Sequence, residues 1–240
     1  MTDLQSDTRS RLLEAAEQLF ARHGFDGVSI RDIAAAAEVN VAAVNYHFQG
    51  KENLYREVLQ QVVAGKRDRY LAALDAARTE QPGDLEAAVR AFFRAHFEDT
   101  LKTEGGGNFL KLFVREMHHG RPENARLIAD LLIPMWADVG RAMLAGEPGL
   151  DPSVAQWIVG SLHGQLVHFT MRWHKTHLGS EGPVRGDDPF GPLKALFPPL
   201  AGDVDTYIDQ AVDHITRFSV AGIQAVLAGH RSAHPEGDAS

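Results

Sequence analysis

Chemistry in this chain concentrates between residues 29 and 55, SIRDIAAAAEVNVAAVNYHFQGKENLY. Val41, Ala42 and Ala43 put small side chains at the start of a short helix. Its backbone can therefore approach base edges closely, and any of the three can touch a thymine methyl. Asn45 carries the adjacent donor and acceptor that pair with adenine. Tyr46 either donates its hydroxyl to a phosphate or packs inward. Lys51 heads a further helix, where the free amides of the first turn already favour a phosphate. Two short helices, a tight turn and a lysine-headed third helix make the pattern of a helix-turn-helix, in which one helix supports and the next enters a DNA groove.

The surrounding residues must hold that pattern in place. Leu12, Leu13, Ala16, Leu19 and Phe20 recur at helical spacing and predict an amphipathic helix over 8–23, closed by Gly24. Ser29 is an N-cap, and Asp32 takes the acidic place of a capping box. Ile30, Ile33, Ala34 and Ala37 give the supporting helix its inward face. Ala37-Glu38-Val39 forms the turn, and Asn40 caps Val41–His47, whose Val44 and Phe48 read as core. Leu54, Tyr55, Val58, Leu59 and Val62 carry the third helix on to about Ala77.

Downstream, Gln81-Pro82-Gly83-Asp84 breaks the chain, and helices are expected over 84–102, 109–119, 122–145, 152–177 and 204–228. Pro134 predicts a kink. Residues 179–203 hold five Gly and five Pro and read as a long loop, and the tail after Ala228 reads as disordered. No alternating strand pattern of useful length exists, so the chain is expected to be all-α. The expected division is a helix-turn-helix domain over 8–55, a larger helical ligand-binding and dimerisation domain over 56–228, and a tail over 229–240.

Composition narrows the class. The 240 residues are 44% hydrophobic and 23% charged, ordinary for a globular chain. There is no cysteine, which excludes disulfides, thiolate metal sites and thiol catalysis and fits a reducing cytoplasm. The polar MTDLQSDTRS is no signal peptide, and no run of 18 apolar residues predicts a membrane span. The net charge of −8 opposes a nucleic-acid partner, and residues 1–60 carry six basic side chains against nine acidic ones. DNA binding must then rest on a few placed cations and on helix N-termini, not on a broad basic face.

RLLEAAEQLFARHGFDGVSIRDIAAAAEV and VNYHFQGKENL together resemble the DNA-binding domain of the TetR family of transcriptional regulators, without a gap from Arg9 to Val62. The resemblance implies an all-α homodimer on a pseudo-palindromic double-stranded operator, released by a small-molecule effector, with no cofactor. It places Arg31 at a position that reaches a base or phosphate, with pairing to Asp32 or Glu38 as the alternative. His47 and Lys51 match phosphate-contacting positions. The expected DNA-binding set is Ser29, Arg31, Val41, Ala42, Ala43, Asn45, Tyr46, His47 and Lys51. Two departures stand out: Glu38 replaces the usual turn glycine, and Ala43 replaces a common Thr or Ser.

Further on, FLKLFVREMHHGRP, LIPMW and GSLHGQLVHF are similar to the CecR-like subgroup of that family. Val154, Trp157, Ile158, Ser161, Leu162, Gln165, Phe169 and Trp173 are read as one stripe of 152–177. Val204, Ile208, Ala211, Val212, Ile215, Phe218, Ser219, Gly222, Ile223 and Val226 are read as another on 204–228. The resemblance makes these helices the dimer interface; the alternative is one protomer's core. A mixed aromatic and polar effector pocket is expected from Phe97, Phe113, Met117, Trp136, His163, Gln165, His168 and Phe169, with Phe93, Met143 and Trp157 beside them. His174 with His177, and Glu116 with His119, have the spacing that shares a metal, but nothing supplies further ligands. A helical enzyme or metal-binding protein is the rival class; no nucleophile elbow or H-E-x-x-H motif supports it. No metal site is expected.

Overall fold

The computed structural model describes residues 2–103, 105–147, 149–177 and 203–233. Among these the chain forms nine helices and no strand, as the periodicity predicts: α1 (Thr2–His23), α2 (Ile30–Ala36), α3 (Val41–Phe48), α4 (Lys51–Glu80), α5 (Leu85–Lys102), α6 (Asn108–His119), α7 (Pro122–Met143), α8 (Pro152–His177) and α9 (Val204–Ala233). None is long and apolar enough to cross a membrane. The Gly- and Pro-rich stretch expected as a loop lies, except for Asp203, outside the described residues. The expected tail at 229 is corrected: α9 runs on through Ala233, its late turns anchored by the buried Leu227.

Two compact units divide the chain. Met1–Lys66 with Thr103–Met135 forms the first, and Arg67–Lys102 with Trp136–Ser240 the second. The expected boundary at 55/56 thus moves, because α6 packs on α1 and joins the first unit. Asn108 Nδ2 donates to Glu17 Oε1 at 3.3 Å, Arg115 Nη2 donates to the Arg22 carbonyl at 2.8 Å, and the Lys66 ammonium sits 5.9 Å from the Phe109 ring centre. α7 runs through Pro134, which offers no N–H to the Asp130 carbonyl, and the unit boundary falls one residue after that missing bond.

The first unit's core is built from Leu12, Ala16 and Phe20 of α1, Ile33 and Ala34 of α2, Val44 and Phe48 of α3, and Leu54, Tyr55, Val58 and Leu59 of α4, all buried. At its centre Tyr55 sets its ring edge-on to Phe20 at 5.0 Å and to Phe25 at 4.9 Å, while Phe20 and Phe25 stack at 6.0 Å.

In the second unit α5 packs against α9 and α8. Phe92, Phe93 and Phe97 face Tyr207, Ile208, Val212 and Ile215, with Ile158, Leu162 and Leu166 from α8, all buried. Exposed ion pairs run down the α5–α9 seam: Lys102 with Asp205 at 2.6 Å, Arg94 with Asp209 at 2.8 Å and Arg90 with Asp213 at 3.6 Å. Rising numbers on one helix meet falling numbers on the other, so the helices are antiparallel. Each pair contributes about 0–1 kcal/mol, so their value is chiefly in fixing register.

The two expected stripes each split into two faces. Ile158 and Leu162 are buried while Trp157 is 79% exposed; Ile215 and Ile223 are buried while Phe218 is 70% exposed. Neighbours on a helix point 100° apart, so a stripe holding both 157 and 158 is too wide for one contact face. Gly140 of α7 lies close against Val159 of α8: a Cβ there would meet Val159 Cγ2 at 2.7 Å. Gly140→Ala sets a helix-propensity gain of about 1 kcal/mol against overpacking of about 1–3 kcal/mol on a β-branched neighbour with little freedom. Overpacking is expected to win, so thermal unfolding of Gly140→Ala should show a lowered Tm.

Candidate DNA-reading surface

The turn between α2 and α3 is held at both ends by caps. The Ser29 hydroxyl accepts from the Asp32 N–H at 3.2 Å and donates to Asp32 Oδ2 at 2.7 Å, which also receives the Ser29 N–H at 2.9 Å. The expected capping box is therefore complete, and those hydrogen bonds lower the Asp32 pKa below its ordinary 3.8. Asn40 Oδ1 accepts from the Ala42 N–H at 2.8 Å and starts α3. Between the caps Glu38 takes φ +53, the left-handed region that glycine usually fills, at a cost of about 1–2 kcal/mol. Its Oε2 lies 3.4 Å from Arg11.

α3 buries Val44 and Phe48 and turns Ala42, Asn45 and Tyr46 outward; Val41, Ala43 and His47 are half-buried at its edges. Tyr46 is 71% exposed, which removes the packing alternative. Its ring stands edge-on to His47 at 4.9 Å. Arg31 is exposed, while Asp32 is taken by Ser29 and Glu38 by Arg11, so the alternative pairings of Arg31 fall away. The Ser29 hydroxyl is occupied by the cap and orients the start of α2.

Lys51 opens α4. Its ammonium lies 4.3 Å from the centre of the Phe25 ring, against the turn after α1. Before it, Gln49 at φ +61 and Gly50 at φ +137 turn the chain from α3 into α4. Sequence reading missed Arg9, which pairs with Glu57 and lies 5.3 Å from the Phe48 ring centre. It also missed Gln49, since a glutamine carries no signal for a left-handed bend.

The described residues of the expected effector pocket are divided between the two units. Phe113 belongs to the first unit and stacks on Phe109 at 6.2 Å; the Met117 side chain, like those of His119 and His177, lies outside the described residues. In the second unit Phe93, Phe97 and Met143 are plain core, His168 is exposed and Trp157 points outward. Gln165 donates to Ser219 Oγ at 3.0 Å, and the half-buried Phe169 gives its carbonyl to the Tyr207 hydroxyl at 2.5 Å. Trp136 and His163 do meet, edge-on at 4.8 Å, and burial lowers the His163 pKa.

Beside them runs a polar chain the sequence did not reveal. The Tyr70 hydroxyl meets His96 Nδ1 at 2.7 Å, and His96 Nε2 meets Thr170 Oγ1 at 3.1 Å. Tyr70 also stacks on Trp136 at 6.0 Å. A tyrosine in the helical period of α4 and a threonine inside α8 look like ordinary interior positions, so only the fold brings them together. A second-unit groove of about 410 Å³ is lined by Leu71, Ala72, Leu74, Asp75, Arg78 and Ala142, none of them expected. Among the described residues no three metal-ligating side chains converge.

The cap carries a pH signature. Ser29→Ala should lower stability by about 1 kcal/mol at neutral pH. A carboxyl whose folded pKa is depressed stabilises above the ordinary value and ceases to as pH falls through the folded one. The difference between wild type and Ser29→Ala, followed by urea unfolding from pH 7 down to below pH 3.8, should therefore shrink with acid.

Residues 12–58 match the family model described as bacterial regulatory proteins, tetR family. The chain is 37% identical over 62 residues to the probable HTH-type transcriptional regulator YttP of Bacillus subtilis, spanning 26% of this chain and 30% of that one. It is 35% identical over 173 residues to the HTH-type transcriptional repressor KstR2 of Mycolicibacterium smegmatis, spanning 70% of this chain and 79% of that one. A crystal structure of a transcriptional regulator from Pseudomonas aeruginosa PAO1 shares the fold, with a TM-score of 0.58, 23% identity and 90% of each chain covered. With a capped helix-turn-helix turned to solvent and a relative matched over most of its length, this chain belongs to the tetR family of bacterial regulatory proteins and is a DNA-binding transcriptional regulator.

Proposed function

We propose that the protein is a cytoplasmic, homodimeric repressor that sets two copies of α3 into successive major grooves of a pseudo-palindromic operator and releases it when a small molecule binds the second unit. The observation that carries this reading is the outward row of Arg31, Ala42, Asn45 and Tyr46 on a turn capped at both ends. Ala42, with Val41 and Ala43, lets the helix backbone approach thymine methyls, Asn45 reads an adenine edge, and Tyr46, His47 and Lys51 bind phosphates. The relative named a repressor supports repression over activation. The effector meets Trp136 and His163, with Tyr70, His96 and Thr170 supplying hydrogen bonds. Its binding shifts the population between DNA-matched and unmatched states, with α4, which contributes residues to both units, as the route.

Operator binding by fluorescence anisotropy tests the reading. Asn45→Ala should lose about 1–3 kcal/mol on the operator and almost nothing on scrambled DNA, while His47→Ala should weaken both alike. Equal losses on both DNAs for Asn45→Ala would contradict base reading.

The dimer reading rests on the outward faces of α8 and α9. Trp157, Phe218 and Val226 are exposed there, and a Cβ on Gly160, Gly164 or Gly222 would meet nothing in the chain. Exposed helical glycine gives up about 1 kcal/mol relative to alanine, and close approach of a second chain is what such positions allow. Gly164→Leu should leave the fold intact by circular dichroism and shift sedimentation from dimer to monomer; a dimer of undiminished affinity would exclude this face.

A further inference from the structure

We propose that the corner between α6 and α7 governs the DNA contact of Lys51, acting through Phe25. This rests on the reading of Lys51 as a phosphate-binding residue. Phe25 is gripped from two sides. Its N–H donates to Glu116 Oε1 at 3.4 Å, and the buried Glu116 carboxylate is held in turn by Asn124 Nδ2 at 2.9 Å. The Tyr55 hydroxyl lies in the field of that carboxylate, and burial together with the negative charge raises its pKa. On the ring, the Arg121 guanidinium sits 5.0 Å from the centre. Asp26 holds that guanidinium through both oxygens, at 2.5 and 3.2 Å.

The same ring carries the Lys51 ammonium at 4.3 Å. A cation over an aromatic face is held electrostatically and loses less freedom when a phosphate then arrives. The corner therefore fixes Phe25, Phe25 fixes the ammonium, and the ammonium is placed at the head of α4. Glu116 and Arg121 are positioning residues here, acting through Phe25. Arg121 immediately precedes α7, the helix that carries Trp136 in the second unit. A disturbance of α7 thus reaches the DNA contact along one helix and one ring.

The charge sign makes the test sharp. Asp26→Asn removes a negative charge from the reading unit, so bulk electrostatics alone would tighten operator binding. By contrast, unseating Arg121 should weaken it severalfold. Operator affinity is measured against salt for wild type, Asp26→Asn, Arg121→Gln, Arg121→Lys, Lys51→Ala, and Asp26→Asn and Arg121→Gln each combined with Lys51→Ala. Lys51→Ala should lower the slope of log affinity on log salt by about 1. The severalfold losses from Asp26→Asn and Arg121→Gln should fall below about twofold in the Lys51→Ala background, and Arg121→Lys should restore binding. Tighter binding by Asp26→Asn, or equal losses in both backgrounds, overturns the proposal while leaving Lys51 as a phosphate ligand. An unchanged affinity and slope for Lys51→Ala overturns the phosphate reading and the proposal with it. Thermal unfolding of each variant confirms that the comparison is among folded proteins.

Discussion

Burial of Phe20, Phe25 and Tyr55 against one another is the contact on which the first unit depends. It joins α1, the turn that follows it and α4 at one point, with all three rings at most 4% exposed. α2 and α3 are short, seven and eight residues, and helices of that length do not persist alone in water. They owe their place to the walls that α1 and α4 provide through Ile33, Ala34, Val44 and Phe48. The outward row on α3 is thus only as well aimed as that aromatic junction.

The junction also bears on the unit's charge. An acidic reader of an acidic polymer looks contradictory until its cations are followed. Arg9 is tied to Glu57, Arg11 to Glu38 and Arg121 to Asp26, so the charge of these three is neutralised within the unit. Arg31 stands out on the surface, and Lys51 is held on a ring. On a unit without an excess of basic residues, the placement of each cation matters more than it would on a broad basic face.

Local signals were legible in the sequence and convergent ones were not. Ser29, Asp32, Asn40 and Gly24 announce caps whose geometry depends on neighbours four residues away or fewer, and all four appear as read. Val44 and Phe48 likewise follow from helical period alone. The stripes of α8 and α9 were found but misapportioned, because period marks apolar positions without telling which face meets its own chain. Phe113 and Trp136 fall in different units, and the Tyr70–His96–Thr170 chain joins three helices far apart in sequence. The same holds for Glu116, whose spacing with His119 suggested a metal while its carboxylate in fact receives the amide of Phe25 and the side chain of Asn124.

The ion pairs along the α5–α9 seam bear on how the second unit can move. Asp205, Asp209 and Asp213 recur one turn apart, and a uniform row of charges would let a helix slide by a turn and pair again. The opposing row is not uniform: Lys102 and Arg94 are two turns apart, and the next cation along α9 is Arg217, which pairs with Asp213 at 2.7 Å. Sliding α9 by one turn in one direction would bring Arg217 toward Arg90, and in the other would carry Asp205 away from Lys102, so only the observed seating keeps all three pairs. The three weak pairs together thus favour one register of α9 on α5 over its one-turn neighbours.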